Sequence, residues 1–458
     1  MIENDAFKLL LINLFHLNPD DIANIFCTTF NKMMVLLVTL ADKHQACPYC
    51  GFTAPKIKEY VTKEITHSAL TTQKCIIKYR ARRYKCPCCG KTYYEFNPFV
   101  FKSQKISILT VHNILKDLKD FNETFTSVAR RYHVSPTSVS TIFDNHVDIG
   151  RNPLPEIINF DEVYAFKSEK SKYVCVLLDF KKQIPVDVLP NRKKEYLLNY
   201  FQKIPLEERK KVKYACSDMY EVYRDVVHKV FPCSCMLLDY FHLSQDFHRK
   251  MNEVRIKVMK GYKDDKASDE YYLLKKFNCL LFKNPEDEDK YGRLFDVERE
   301  RKYNSHFKSY MNYYDLRRKL LEINNDLTIC YSLKLELVDF YSKSTIDNAQ
   351  VNLEHLIRSC IDTNIEEMIA FSNNLINWKQ EIINSFTIVG TEYKVEADKG
   401  QVVACNKKVN NAIIENRNKI IKCIKNNANG YTNWSRFRNR VMYVLDPNTT
   451  FSLEPREK

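Results

Sequence analysis

Apolar and polar positions change period several times along the chain, and each change predicts an element. Phe7, Leu10, Leu11 and Leu14 recur at helical spacing and predict a helical lead-in over residues 1–42. That period is lost over residues 43–100, where β-type sequence lies between two cysteine-rich stretches. Helical spacing returns over 103–147, and Pro153 and Pro155 punctuate the next boundary. From 156 to 250 the pattern alternates. Glu156 to Val163, Tyr173 to Asp179 with its apolar run Val-Cys-Val-Leu-Leu, and Pro185 to Leu189 predict three strands. A helix over Lys194 to Gln202 and a strand over Lys213 to Cys216 come next. A helix over Tyr220 to Val230, a strand over Cys233 to Leu238 and one more helix complete the stretch. Three meandering strands followed by alternating helices and strands predict a mixed sheet with helices packed on it, within an α/β, multi-domain chain. Residues 250–400 read as mostly helical, and a final helix is predicted from about Val409 to Asn427.

Charge adds a partner to this outline. The 458 residues carry 71 Lys and Arg against 57 Asp and Glu, a formal charge of +14. An excess of that size favours a polyanion, because each cation near a phosphate releases counterions; a solvated lysine face is the plain alternative. The longest apolar run, Met33 to Ala41, is far short of the roughly 20 residues a bilayer needs, so no membrane span is expected. No basic stretch precedes an apolar one at the N-terminus, and a cytoplasmic protein is expected.

Six of the sixteen cysteines fall between Cys47 and Cys89. Cys47-Pro48-Tyr49-Cys50-Gly51 is one CxxC knuckle, and Cys86 and Cys89, followed by Gly90, form a second. Two such pairs offer the four thiolates that structural zinc prefers, with the glycines relieving the backbone after each pair. Cys75 and Cys88 are expected to be spare, and the scattered cysteines to be buried thiols.

Phe125 to Val147, FTSVARRYHVSPTSVSTIFDNHV, predicts a helix-turn-helix. Ala129 is small where two helices cross, Tyr132-His133-Val134 forms the turn, and Ser135 caps a helix that starts at Pro136. His133 sits where such turns usually hold a left-handed glycine, a conformation His tolerates better than most residues. Val139 and Ile142 face back onto the first helix. Thr137, Ser138 and Ser140 are expected to face a major groove, with Arg130 and Arg131 on phosphates.

Three acids stand out by placement: Asp161 in a predicted strand, Asp218 after another, and Glu415 in the last long helix. Two acids on adjacent strands and a third from a helix make a hard oxygen site for magnesium or manganese. Such a site can hold two metals and clamp an in-line phosphoryl displacement. Asn411, Asn418 and Lys422 share the Glu415 face, with Ile413, Ile420 and Ile424 facing elsewhere; Lys419 and Lys422 are candidates for DNA phosphates. Asp239 and His242 either support this site or are a helix N-cap and a packed histidine. Asp179 reads as a hairpin cap, and Glu162 points away from Asp161.

Together these residues resemble the ISL-type insertion-sequence transposases of bacteria. CPYCG and RRYKCPCCGKTYYE resemble that family's zinc knuckles, and Asp161-Glu162 its first-aspartate region. SDMYEVYRDVV from Ser217 is similar to the second-aspartate region, and Asp239-Tyr240-Phe241-His242 to an Asp-Arg-Phe-His motif. Glu415 to Tyr431 is similar to the glutamate helix, although Asn410-Asn411-Ala412 stands for Ser-Asn-Gly and Asn416 for Gly. The resemblance implies a zinc ribbon (43–100), a helix-turn-helix domain (103–150) and a ribonuclease-H-like core. That core would begin at 156–250, be interrupted by an all-helical insertion at 251–405 and finish at 406–445. The 197 residues between Asp218 and Glu415 leave room for that insertion. The implied activity is metal-dependent cleavage and strand transfer of double-stranded DNA, element ends and target, by a homodimer on DNA. A DNA-binding regulator with a decayed catalytic domain is the second reading, against which the complete triad argues. A ribonuclease-H-type nuclease without transposition is the third, separated from the first only by the resemblance.

Overall fold

The computed structural model describes residues 2–43, 46–68, 72–101, 104–166, 171–395 and 402–456. The chain opens with α1 (Ile2–Leu14), but the expected helical lead-in stops there. β1 (Ile22–Phe30) and β2 (Met33–Leu40) form an antiparallel hairpin. In β2, Leu36, Val38 and Leu40 are buried while Leu37 and Thr39 are exposed, a two-residue period that overrides the helical reading. β3 (Lys56–Thr66), β4 (Cys75–Lys85) and β5 (Thr92–Tyr94) complete one sheet, ordered β1-β2-β4-β3 with β5 also on β4. Leu11, Ile12 and Phe15 of α1 pack into its core. Residues 22–40 therefore belong with the cysteine-bearing segment.

α2 (Ile108–Asp117), α3 (Phe125–Arg131) and α4 (Pro136–His146) follow. Thr124 and Ser127 form a reciprocal capping box on α3, and Ser135 caps α4 by accepting from the Ser138 amide. Buried His67 joins this unit to the first sheet. Its ring nitrogens lie 2.9 Å from Ser107 Oγ and 2.8 Å from the Phe15 carbonyl oxygen.

The second sheet contains β6 (Ile157–Val163), β7 (Val174–Asp179) and β8 (Pro185–Leu189). α5 (Lys194–Gln202), α6 (Leu206–Arg209), β9 (Tyr214–Ser217), α7 (Glu221–Val230) and β10 (Cys235–Leu238) come after. The order is β10-β9-β6-β7-β8, with β6, β9 and β10 parallel and β7 and β8 antiparallel additions. This is the mixed sheet read from the hydrophobic pattern. Ile158 and Phe160 face α5 and α7 across one core, while Val163 faces the last helices across another.

From β10 the chain leaves the sheet along α8 (Tyr240–Gly261) and α9 (Asp269–Lys276). Two small hairpins follow: β11 (Glu288–Asp289) with β12 (Gly292–Arg293), then β13 (Lys302–Asn304) with β14 (Ser309–Met311). α10 (Tyr313–Glu322), α11 (Asn325–Lys343), α12 (Ala349–Asp362), α13 (Glu366–Asn377) and α14 (Lys379–Asn384) close a large apolar core with α8. The expected all-helical insertion is thus mainly helical, and it ends in an antiparallel ribbon of β15 (Ile388–Val395) and β16 (Val402–Lys408). α15 (Ala412–Asn427) and α16 (Trp434–Leu445) return to the sheet. α16 ties the second sheet to the earlier helices. Arg438 pairs with Asp187 of β8, Arg436 with Asp144 of α4, and Tyr443 donates to the Leu115 carbonyl. Among the described residues no helix is long and apolar enough to cross a membrane.

Candidate active site

Strand register builds the site. Asn159 of β6 pairs with Cys216 of β9, so two residues further on Asp161 and Asp218 stand level. Ser217 pairs with Leu238 of β10, so Asp218 and Asp239 stand level as well. Adjacent strands lie about 4.8 Å apart, and a row of three aspartates crosses the C-terminal ends of three parallel strands. Alternation along β6 turns Asn159 and Asp161 toward α15 and Glu162 toward α7, where Glu162 accepts from the Tyr223 hydroxyl at 3.2 Å and pairs with Arg192.

α15 is fixed over this row by asparagines. Asn159 Nδ2 donates to the Asn410 carbonyl (2.8 Å) and to Asn411 Oδ1 (2.7 Å). Asn418 Nδ2 donates to Asp161 Oδ2 at 2.8 Å, across 257 residues of chain. Asp239 Oδ1 lies 3.4 Å from the Asn411 amide nitrogen. Glu415, in the first turn of α15, is thereby held beside His242 of α8. His242 Nε2 is 3.9 Å from Glu415 Oε1 and 3.8 Å from Asp239 Oδ2. Asp239, His242 and Glu415 each offer a ligand atom within 4.8 Å of the others. Asp161 and Asp218 flank that group and are not part of it at this spacing.

Electrostatics fit a cation here. Burial, then the charge of Asp218 among nearby groups, raises the Asp161 carboxyl to about 7. Burial and Glu162 raise Asp218 to about 7, against the opposing pull of Arg192. Burial raises Asp239 as well. Among the described residues, one oxygen each of Asp218 and Asp239, and His242 Nε2, are buried without a hydrogen-bond partner. Buried acceptors left in this state are costly unless something occupies the space between them. A divalent cation satisfies that requirement with the ligand types it prefers.

Several expectations change in detail. Asp239 occupies the N-cap position of α8 while its Oδ1 also lies against the Asn411 amide, so the capping and the supporting readings of Asp239 share one side chain. Asp179 caps its hairpin, accepting from the Lys181 and Lys182 amides. On α15 the buried stripe is Ile414, Asn418, Ile421 and Ile424, with Ile413 and Ile420 half-buried; Lys419 and Lys422 are exposed. The sequence reading missed the Asn159 tie and the rank of Asp239.

The thiols form a second centre. Cys47 and Cys89 Sγ are 3.7 Å apart and Cys50 and Cys86 Sγ 3.5 Å, and all four lie within 4.8 Å of one another. A tetrahedral zinc at about 2.3 Å from each sulfur requires edges of about 3.8 Å. Gly51 (φ 74°) and Gly90 (φ 70°) donate to the Cys47 and Cys86 carbonyls, closing matched knuckle turns.

In the α3–α4 pair the turn residue His133 has φ 53°, and Ala129, Val139 and Ile142 are buried at the crossing. Thr137 is exposed and Ser138 half-buried. Ser140 is instead buried, its hydroxyl donating to the Thr137 carbonyl at 3.0 Å, so it does not face outward. Arg130 is exposed, but Arg131 is held by Asp117 and Glu123. These two acids compete with any phosphate for its guanidinium.

Residues 158–398 match the model of a DDE family of the ISL-three type, described as transposase. The chain is also 19% identical over 409 residues to the transposase for insertion sequence element IS1001 of Bordetella parapertussis, across 89% of this chain and 90% of that protein. Asp161, Asp218, Asp239 and His242 fall within the family match; Glu415 lies beyond it.

Proposed function

This chain belongs to the ISL-three-type DDE transposase family and is a metal-dependent, DNA-cleaving transposase, and we propose that the aspartate row and Glu415 are its catalytic centre. The observation that carries the reading is the level placement of Asp161, Asp218 and Asp239 with Glu415 held across from them. We take the β10-β9-β6-β7-β8 sheet as a ribonuclease-H-like core. Asp161, Asp218 and Glu415 are the proposed primary ligands of magnesium or manganese, with Asp239 and His242 completing the far side. When bound, such cations polarise the scissile phosphate and lower the pKa of an attacking water.

The chain's own residues supply position. Asn418 fixes one Asp161 oxygen and leaves Asp161 a defined direction. Asn411 and Asn159 hold the start of α15, so Glu415 cannot drift from the strand ends. His242 Nε2 lies between Asp239 and Glu415 on the far side of the row and supports the site without being a primary ligand. Water attacks phosphorus at the element end as the P–O3′ bond breaks and releases a 3′-hydroxyl. That hydroxyl then attacks a target phosphate, exchanging one P–O bond for another. End recognition is assigned to α3 and α4 through Arg130, Thr137 and Ser138, with Lys419 and Lys422 on flanking phosphates. The first sheet is assigned as a zinc ribbon around the four thiolates, and a second copy of the chain is expected on the paired ends.

The test is cleavage of a duplex carrying the element's terminal repeat, with magnesium or manganese. Glu415→Gln and Asp161→Asn should abolish cleavage and joining while end binding persists. Full strand transfer by either variant would defeat the assignment.

A further inference from the structure

A cavity of about 650 Å³ opens directly beside the carboxylates, and two of them, Asp239 and Glu415, line it. Three other elements contribute to its walls. α8 gives Tyr240 and Phe241, α11 gives Tyr341 and Ser342, and the end of the β15–β16 ribbon gives Lys408. The volume is within the range of about 300–1,000 Å³ that holds small ligands. We propose that this cavity receives an unpaired nucleobase of the DNA strand being cut, next to the scissile phosphate; the proposal rests on the catalytic centre assigned above.

Three observations support it. Asp161 and Asp239 are only 9% and 3% exposed, so a phosphodiester reaches them by entering a cleft. A strand that dips into a cleft unstacks its neighbouring base, and that cost is recovered by a protein surface that stacks it again. The cavity offers such a surface. Tyr240 and Tyr341 lie against each other with ring centroids 3.7 Å apart, and Phe241 is 50% exposed with its ring set edge-on to His242. The exposed part of the Phe241 ring lies on the wall of the cavity, next to the buried acid cluster. The polar equipment also suits a base. The buried Tyr341 hydroxyl sits beside Ser385, and Asn284, Ser342 and Asn410 line the same space. Lys408, its ammonium 4.4 Å from the Phe386 ring, supplies a cation at the rim for the phosphate of the displaced nucleotide.

The insertion thereby gains a function: α11 and the ribbon close the side of the cleft that the sheet leaves open. Phe241 becomes the stacking residue, on the same helical turn as His242.

The experiment is a cycle between protein and substrate. Wild type, Phe241→Ala, Phe241→Leu and Phe241→Tyr are assayed with manganese on a terminal-repeat duplex. In a second series a tetrahydrofuran abasic unit replaces each nucleotide flanking the cleavage junction in turn. Phe241→Ala and Phe241→Leu should cleave the intact duplex about 10–100-fold more slowly, with Phe241→Tyr near wild type and end binding unchanged in all. At one abasic position the difference between wild type and Phe241→Ala should vanish, because no base remains to stack. Normal rates for Phe241→Ala on the intact duplex would overturn the base pocket alone, and so would an equal loss on every abasic substrate. Failure of the wild type to cleave any of these duplexes would overturn the catalytic reading and the pocket with it.

Discussion

The thiolates of Cys47, Cys50, Cys86 and Cys89 close on one another with sulfur spacings that a single tetrahedral ion accounts for. The carboxylates of Asp161, Asp218, Asp239 and Glu415 do the reverse: they crowd together yet, among the described residues, leave buried oxygens of Asp218 and Asp239 unpaired. Four filled positions make a staple, whereas spare ligand capacity makes a place where something else can bind and react. Their supports differ accordingly. Each thiolate pair sits in its own short turn, and a zinc ion held by all four would join the two halves. The carboxylates rest on a hydrogen-bonded sheet and on Asn159, Asn411 and Asn418, which tie α15 to β6.

That contrast can be broken most severely at the row itself. Asp218→Asn should lower strand cleavage on the order of a thousandfold or more, the loss typical of removing a catalytic group. Thermal unfolding and terminal-repeat binding should hardly change, because the sheet does not depend on that carboxylate. A gel assay of cleavage beside a binding titration checks both; a collapse of the fold would make the site a staple like the other.

The thiolate site should respond the opposite way. Cys47→Ser, or chelation, should take bound zinc from about one per chain to about none and loosen the first sheet. Metal analysis with hydrogen exchange over residues 46–94 reads this out. Zinc-free protein with a fully protected sheet would erase the distinction.

A smaller effect is expected from Asn418→Ala, which removes the bond from α15 to Asp161. Loss of such a supporting partner costs about 10–100-fold in metal affinity or activity. The loss should appear at low manganese and shrink as manganese is raised. Independence from metal concentration would mean Asn418 serves only packing.

The mildest test lies in α3. Arg130→Ala should reduce the salt dependence of end binding by a slope of about 0.9, one phosphate's worth. Arg131→Ala should leave that slope alone and cost about 0.5–1 kcal/mol of stability, since its partners are Asp117 and Glu123. Salt titrations and denaturant curves separate the two; a matching slope change in both variants would return Arg131 to the DNA surface.

How much of this was legible in the sequence follows the same division. The knuckles were readable because both ligands of each pair and the turn glycine fall within five consecutive residues. The α3–α4 turn was readable for the same reason, down to the left-handed His133. The strands β6 to β10 were readable because each is a short apolar run. Residues 22–40 misled because a run such as Met33 to Ala41 fits helix and strand alike until its burial is known. Ser140 misled because a short hydroxyl can bond back to its own helix and turn inward. The rank of Asp239 was not legible, because it depends on β10 pairing with β9 in one register. The tie from Asn418 to Asp161 was hidden by the length of chain between them.

The central claim is that topology, and not a local motif, assembles the cation site of this transposase. Anomalous diffraction from crystals of the chain with terminal-repeat DNA and manganese tests it most directly. Manganese signal is expected between Asp161, Asp218 and Glu415, with Asp239 and His242 on its far side. Manganese bound elsewhere, or Glu415 turned away from the aspartate row with the ion in place, would contradict it.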